Sequence, residues 1–288
     1  MMIRWSFLLV FAAVAPMPTP AQVLPIVRKT PCSVIASIPH TITSPGNYCL
    51  DADHLTESGG GMEIASNDVN LDCKGHAITK ATRGPFYSAG IYTESARENV
   101  TIQNCRIKDF GRGVAFGGRN IRILDNWIDG AMQEGIAAGG HSAQVIGNRI
   151  TNTYDDPGSR QVSIAVYPYD DNIVTRGQVI RDNVVVGATD SFSYTGIAVH
   201  GSTAPVIMRN QVLDLRPAEG SHAFAIVLVE GTMPTTAATV KGNVLMSRSP
   251  NVKALSGVAA SCSNNVAIGL SENAFATCQA GTGNVSIP

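Results

Sequence analysis

The side chains best suited to chemistry cluster in one short stretch, VYPYDDNI (166–173), and in a few residues after it. Tyr167, Tyr169, Asp170 and Asp171 lie there, Arg176 follows, and Tyr194 and His200 come one segment later. A His–Tyr pair beside carboxylates suits proton abstraction next to the carboxyl group of a uronate. One group would act as base and another as acid, with Arg176 neutralising the substrate carboxylate. Tyr92 and Glu94 form a second group, and Glu134 follows two segments later, roughly 10 Å away if adjacent strands intervene. That separation is marginal for an inverting pair of carboxylates. Tyr154, Tyr169 and Tyr194 offer rings for stacking on sugars. The bland alternative is a polar turn in which Asp170 and Asp171 are merely solvated. His141 and His222 are isolated, and no Cys/His cluster has zinc-ligand spacing. Calcium at Asp170–Asp171 alone is the one metal the spacing leaves open, and no cofactor is implied. GRGVAFGG (111–118) lacks the spacing and following helix of a nucleotide loop.

A repeat must position these groups. Segments of the form Gly-apolar-x-x recur eight times, 22 to 33 residues apart: GMEI, GIYT, GVAF, GIAA, SIAV, GIAV, AIVL and GVAA. A second pattern, V/I-x-x-N-x-apolar, alternates with them: ILDNWI, VIGNRI, VIRDNVV, VIMRNQV, VKGNVL and LSENAF, with Cys105 in place of Asn in IQNCRI. The alternation has period two, so these are short strands. One coil of such strands cannot bury its apolar side alone; stacked at about 4.8 Å on its neighbours it forms a continuous core. The expected fold is all-β, a single-stranded parallel β-helix of eight to nine coils.

Counted from the first apolar residue of each Gly-apolar strand as position zero, even positions point inward and odd ones outward. Position one reads Glu63, Tyr92, Ala115, Ala137, Ala165, Ala198, Val227, Ala259; position three reads Ala65, Glu94, Gly117, Gly139, Tyr167, His200, Val229, Ser261. The outward strip is therefore smooth, with Tyr167 and His200 side by side. Arg106, Lys108, Arg112, Arg119 and Arg122 form a basic stretch that could bind an acidic glycan.

The stretches ITSPGNYCLDADH…GMEIASNDVNLDCKGHAI (42–78) and NVTIQNCRI (99–107), with the Asn-marked coils to Phe275, resemble right-handed parallel β-helix proteins of the pectin-lyase-like superfamily. That superfamily holds lyases, hydrolases, epimerases, accessory proteins and adhesin-like stalks. Tyr167-Pro168-Tyr169-Asp170 is similar to the Asp-Pro-His-Asp motif of β-helix mannuronan C5-epimerases. Pro168 and Asp170 match; tyrosines stand where that family has its first Asp and its His.

The chain begins with Arg4, an apolar run from Trp5 to Ala15 and small residues, the pattern of a secretory signal peptide that is too short to span a bilayer. Residues 1–21 are expected to be this signal, 22–60 an N-terminal cap, and 61–288 the β-helix with its C-terminal cap. Six cysteines in an exported chain suggest disulfides. Spacing favours Cys32 with Cys49, Cys73 with Cys105, and Cys262 with Cys278, among 15 connectivities. A staple between neighbouring coils and two tied ends would give the pairs a purpose in a solenoid. With 21 Lys and Arg against 22 Asp and Glu, the net charge of −1 argues against nucleic acid as partner. The expected protein is secreted or periplasmic, not inserted in a membrane, and recognises an acidic polysaccharide along the strip, with lyase or epimerase chemistry on uronates as its extension. The competing reading is a non-catalytic accessory or surface interaction protein.

Overall fold

In the computed structural model the described residues are 31–288 without 84–86, 154–160, 169–173, 230–233, 250, 271–273 and 288; for 188–192, 218 and 280 the backbone alone is described. Within this unit every strand pairing is parallel, and the strands stack as three faces. The first face is an 11-stranded sheet running from Ser33–Val34 through Val69–Asp72, Arg122–Leu124 and Val206–Met208 to Cys278–Thr282. The second holds strands such as Arg106–Lys108, Trp127–Asp129 and Val244–Met246. The third holds Met62–Ile64, Ala89–Tyr92, Arg112–Arg119, Glu134–His141 and Gln161–Tyr167. In two coils a single long strand, Val184–Val199 or Gln211–Leu228, serves the second face and then the third. The end strands of the first face belong to the tied ends, and the nine between them are the expected coils. Residues 31–60, expected as a cap, already carry strands that join the faces, among them His40–Ile42 against Met62–Ile64.

Sequence dictates this stacking through single aliphatic rows. Ile102, Ile123, Val145, Ile180 and Ile207 from the first face point inward in register, as do Ile107, Ile128, Ile150 and Val185 from the second. From the third come Ile91, Val114, Ile136, Ile164, Ile197 and Ile226. All are at most 1% exposed, so each contributes about 1.5–3 kcal/mol of burial.

The Asn-marked pattern is the spine at the corner between the first two faces. Asn126, Asn148, Asn183, Asn210, Asn243 and Asn265 are buried, and each side-chain amide donates to the Oδ1 of the next in line, from Asn126 to Asn284, at 2.9–3.1 Å. Each also donates to a main-chain carbonyl of the preceding coil, as Asn210 does to Ile180 O at 3.0 Å. The row ends where Cys105 replaces Asn: its N–H donates to Asn126 Oδ1, while its sulfur bonds Cys73 one coil back. LSENAF was expected to carry the last mark, but its Asn273 lies outside the described residues. The row continues through Asn265 and Asn284, hidden in sequence because Cys262 and Gly281 occupy the position where the pattern asks for Val or Ile.

Residues before the ladder positions take positive φ, as at Asp125 (52°), Asp182 (57°) and Arg209 (53°). The other two corners do likewise, through Asp68, Asn99 and Asn120, and through Asp109, Asn152 and Asp214. Asn and Asp tolerate this left-handed geometry, which explains their abundance at all three corners. The three disulfides are Cys32–Cys49, Cys73–Cys105 and Cys262–Cys278, and no cysteine is free. The last Gly-apolar segment departs from expectation. The third-face strand of that coil is Val252–Gly257, with Leu255 against Ile226, so Ser256 holds position one while Ala259 and Ser261 fall beyond it. Ser261 belongs to the first face.

Candidate functional site

The outward strip of the third face is continuous. Glu63, Tyr92, Ala115, Ala137, Ala165, Ala198, Val227 and Ser256 pair one with the next. Four consecutive alanines make a flat floor, but only Ala115 is partly exposed; Ala137, Ala165 and Ala198 are buried although they point out of the coil, so the floor is covered over those coils.

A second outward row lies beside this floor, closer to the corner with the second face: Ala89, Arg112, Glu134 and Val162. Between the rows, the Gly of each Gly-apolar segment breaks the pairing: register runs from Arg112–Glu134 to Val114–Ile136 and omits Gly113. A Cβ at Gly113 would lie 2.5 Å from both Gly135 O and an Ile128 methyl, so the backbones are packed too closely for any side chain. This bulge reverses the inward–outward alternation upstream of it. Glu134, inward by straight counting, is thereby turned outward.

Glu134 and Arg112 face each other across neighbouring coils. Arg112 Nε is 3.0 Å from Glu134 Oε2 but spends its N–H on Gln133 Oε1 at 2.9 Å, so Oε2 gains charge stabilisation without an aligned hydrogen bond. The Glu134 side chain is only 14% exposed. Burial pushes its carboxyl above the usual range, and Arg112 partly opposes the shift. Tyr167, partly buried beyond the alanines, has its phenol pushed up to about 12 by burial and then by the Glu134 charge, with Arg112 opposing. Arg112, Glu134 and Tyr167 thus form one electrostatic group bordering the floor.

At the N-terminal end of the strip a pocket of about 440 Å³ is lined by Gly59, Gly60, Tyr87, Tyr92, Glu94, Arg112 and neighbouring residues. Burial raises the Tyr92 phenol, and the Glu63 and Glu94 carboxylates raise it further. Glu94 does not lie flat at position three: Tyr92 pairs with Ala115 and Arg97 with Gly118, so five steps oppose three and Glu94 rides on the resulting bulge. Buried Lys80 holds the pocket wall by donating to Gly59 O at 2.9 Å.

The remaining expected site residues divide. His200 donates its N–H to Val166 O at 2.8 Å, one step past the paired Val166–Val199, which sets it beside Tyr167 on the next coil. Tyr169, Asp170 and Asp171 lie outside the described residues, as does Tyr154. Arg176 stands off the strip, exposed at the corner leading to the first face, in the short strand Thr175–Arg176. Tyr194 is a correction. It is fully buried, with its hydroxyl bonded to Ser163 Oγ, and cannot meet a sugar. Ser163 stands where most other coils have Gly, and it supplies the partner that a buried phenol requires. The basic stretch is also a correction as a single patch. Arg106 and Lys108 lie on the second face, Arg112 and Arg119 on the third and Arg122 on the first. Among the described residues no group of three His, Cys, Asp or Glu is placed to hold a metal.

The family model described as right handed beta helix region matches residues 46–179 and 89–275, which is most of the chain. The chain belongs to this right-handed β-helix family. The β-helix protein is also similar in solved structure to the surface protein and adhesin PfbA of Streptococcus pneumoniae, at 12% identity and a TM-score of 0.30 over 83% of this chain and 79% of that one. No curated protein matches the β-helix chain.

Proposed function

We propose that this protein is exported and binds an extended acidic polysaccharide along the third face. The observation that carries the reading is the pocket at the N-terminal end of the strip, where half-buried Ala115 lies with Tyr92 and Arg112. It offers an aromatic wall and one cation for a substrate carboxylate at the open end of the third face. Three disulfides support an oxidising compartment.

Binding without turnover is favoured over lyase or epimerase action by the state of the polar groups. A tyrosine pushed up to about 12 is a poor base near neutrality, and Arg112 is already paired with Glu134. A glycan array with alginate, pectate and glycosaminoglycan fragments, coupled to ultraviolet detection of unsaturated products and C5 proton exchange, tests both parts. Binding of acidic chains without product supports the reading. Product formation restores the catalytic alternative, and no binding by any acidic chain, with Ala115→Leu inert, removes the site.

A further inference from the structure

The second face carries a row that the strip does not use. Ala77, Arg106, Trp127, Arg149 and Val184 pair in succession, so Trp127 stands on the coil between two arginines whose Cα atoms are about 10 Å apart. Trp127 is 42% exposed, and Arg106 lies 5.7 Å from its ring centroid.

The ring is fixed rather than loosely draped. Its Nε1 donates to Thr151 Oγ1 at 3.1 Å, and Thr151 donates to Asp129 Oδ1 at 2.8 Å. Asn152 Nδ2 braces the same oxygen at 2.8 Å, and Lys108 stands 3.8 Å from Oδ2. Asp129 is therefore occupied in holding the ring. Asp53, which feels Arg106, is itself held by the Ala77 N–H and by His76. Among the described residues neither Arg106 nor Arg149 forms an ion pair. A purely structural stack would explain Arg106 against Trp127, worth about 0.5–1 kcal/mol at an exposed site. It leaves Arg149 and the open part of the ring without a role.

We infer that the Arg106–Trp127–Arg149 row is a second glycan site that takes an anionic sugar, its ring against Trp127 and its carboxylate or sulfate on a flanking guanidinium. The planar donor fork of arginine matches such anions in two-point contact, and a fixed aromatic ring contributes area at little entropic cost. A single ring in the row, rather than successive stacking platforms along a basic groove, disfavours single-stranded nucleic acid. The site is independent of the third-face reading, because it lies on a different sheet face and shares no residue with it.

Trp5 and Trp127 are the two tryptophans of the chain and Trp5 falls in the expected signal segment, so a protein starting at Gln22 makes fluorescence report on Trp127 alone. That protein would be titrated with heparin hexasaccharide, alginate hexamer and neutral cellohexaose. The expected result is a saturable change with an anionic hexamer and at least tenfold weaker response to the neutral one. Arg106→Ser/Arg149→Ser should weaken the anionic response at least tenfold with an unchanged melting curve, while Ala115→Leu on the third face leaves it intact. Equal response to cellohexaose, an unaffected double variant, or equal competition by short oligothymidylate would each overturn the inference. Loss of the signal in Ala115→Leu would overturn its independence from the third face.

Discussion

Replacing Asn210 with Ala tests the spine at its most enclosed point. Asn210 is fully buried. Its Oδ1 accepts the Asn183 N–H at 3.1 Å and Asn183 Nδ2 at 2.9 Å, and its Nδ2 donates to Ile180 O and Asn243 Oδ1 at 3.0 Å each. Four hydrogen bonds disappear together, at about 1 kcal/mol each, and the Asn183 N–H is left buried without an acceptor, which adds about 1–3 kcal/mol. The expected cost is about 5–7 kcal/mol, close to the whole stability of many domains. Asn284, at the far end of the row, is only partly buried and receives the Asn265 N–H and Nδ2. Water can replace those contacts, so Asn284→Ala should cost about 1–2 kcal/mol. Urea unfolding of the disulfide-intact proteins, followed by circular dichroism, compares the two. If Asn210→Ala costs less than about 2 kcal/mol, or no more than Asn284→Ala, the ladder is not the stabilising element argued here.

Three further outcomes follow from the same geometry. Cys73→Ala/Cys105→Ala should lose about 3–4 kcal/mol, the loop-closure value for a 32-residue separation, whereas Cys73→Ala/Cys105→Asn should recover part of it by extending the amide row; melting temperatures of the two variants report the difference. A side chain at Gly60 would meet Tyr92 Cε1 at 2.7 Å and Ala89 O at 3.1 Å from its Cβ alone. Gly60→Leu should therefore displace the Tyr92 ring and weaken glycan binding at the third face in calorimetry, with little effect on the Trp127 signal. Ile128→Ala, in the middle of the aliphatic rows, should cost about 2–5 kcal/mol in urea unfolding.

The fold was legible because a solenoid repeats its instructions. The inward rows at Ile102, Ile123 and Val145 and the amide row at Asn126, Asn148 and Asn183 appear in sequence as two alternating patterns, and the tied ends follow from the nearest cysteine pairs. The site was less legible for one physical reason. Counting outward from Ile197 by twos assigns Tyr194 to the surface and, from Ile136, Glu134 to the interior. The bulge at Gly135, Ser163 and Gly196 changes that parity, so the tyrosine is core and the glutamate faces the strip. Straight alternation cannot reveal such a bulge, but a glycine recurring just before each strand is its mark. The basic run 106–122 failed as a patch for a related reason: one coil turns two corners within it, and consecutive charges leave on three faces.

That reversed parity also sets how the strip should respond to acid. Burial raises the Glu134 carboxyl, so the folded protein disfavours its ionised form and is penalised above its folded pKa; the penalty vanishes below the unfolded value. Glu134→Gln should then match or exceed the wild type in melting temperature at neutral pH, with the difference closing as pH falls. The same protonation acts on binding. While Glu134 is ionised, its charge satisfies Arg112 across the coils, and an incoming carboxylate must compete for that guanidinium. Protonated Glu134 no longer competes, so an acidic glycan gains Arg112 and loses a repelling charge. Tyr167 and Tyr92 stay neutral throughout this range because both phenols are raised; Glu94 lines the same pocket as Arg112, and Glu63 lies beside Tyr92, so the Glu134→Gln comparison is what isolates Glu134. Affinity for a sulfated glycan, whose own charge does not titrate in this range, should rise as pH falls through the Glu134 transition. Glu134→Gln should bind more tightly than the wild type at neutral pH and show a shallower pH dependence. A pH-independent wild type, or a Glu134→Gln protein that keeps the wild-type slope, would show that Arg112 is not the anion receptor of the third face.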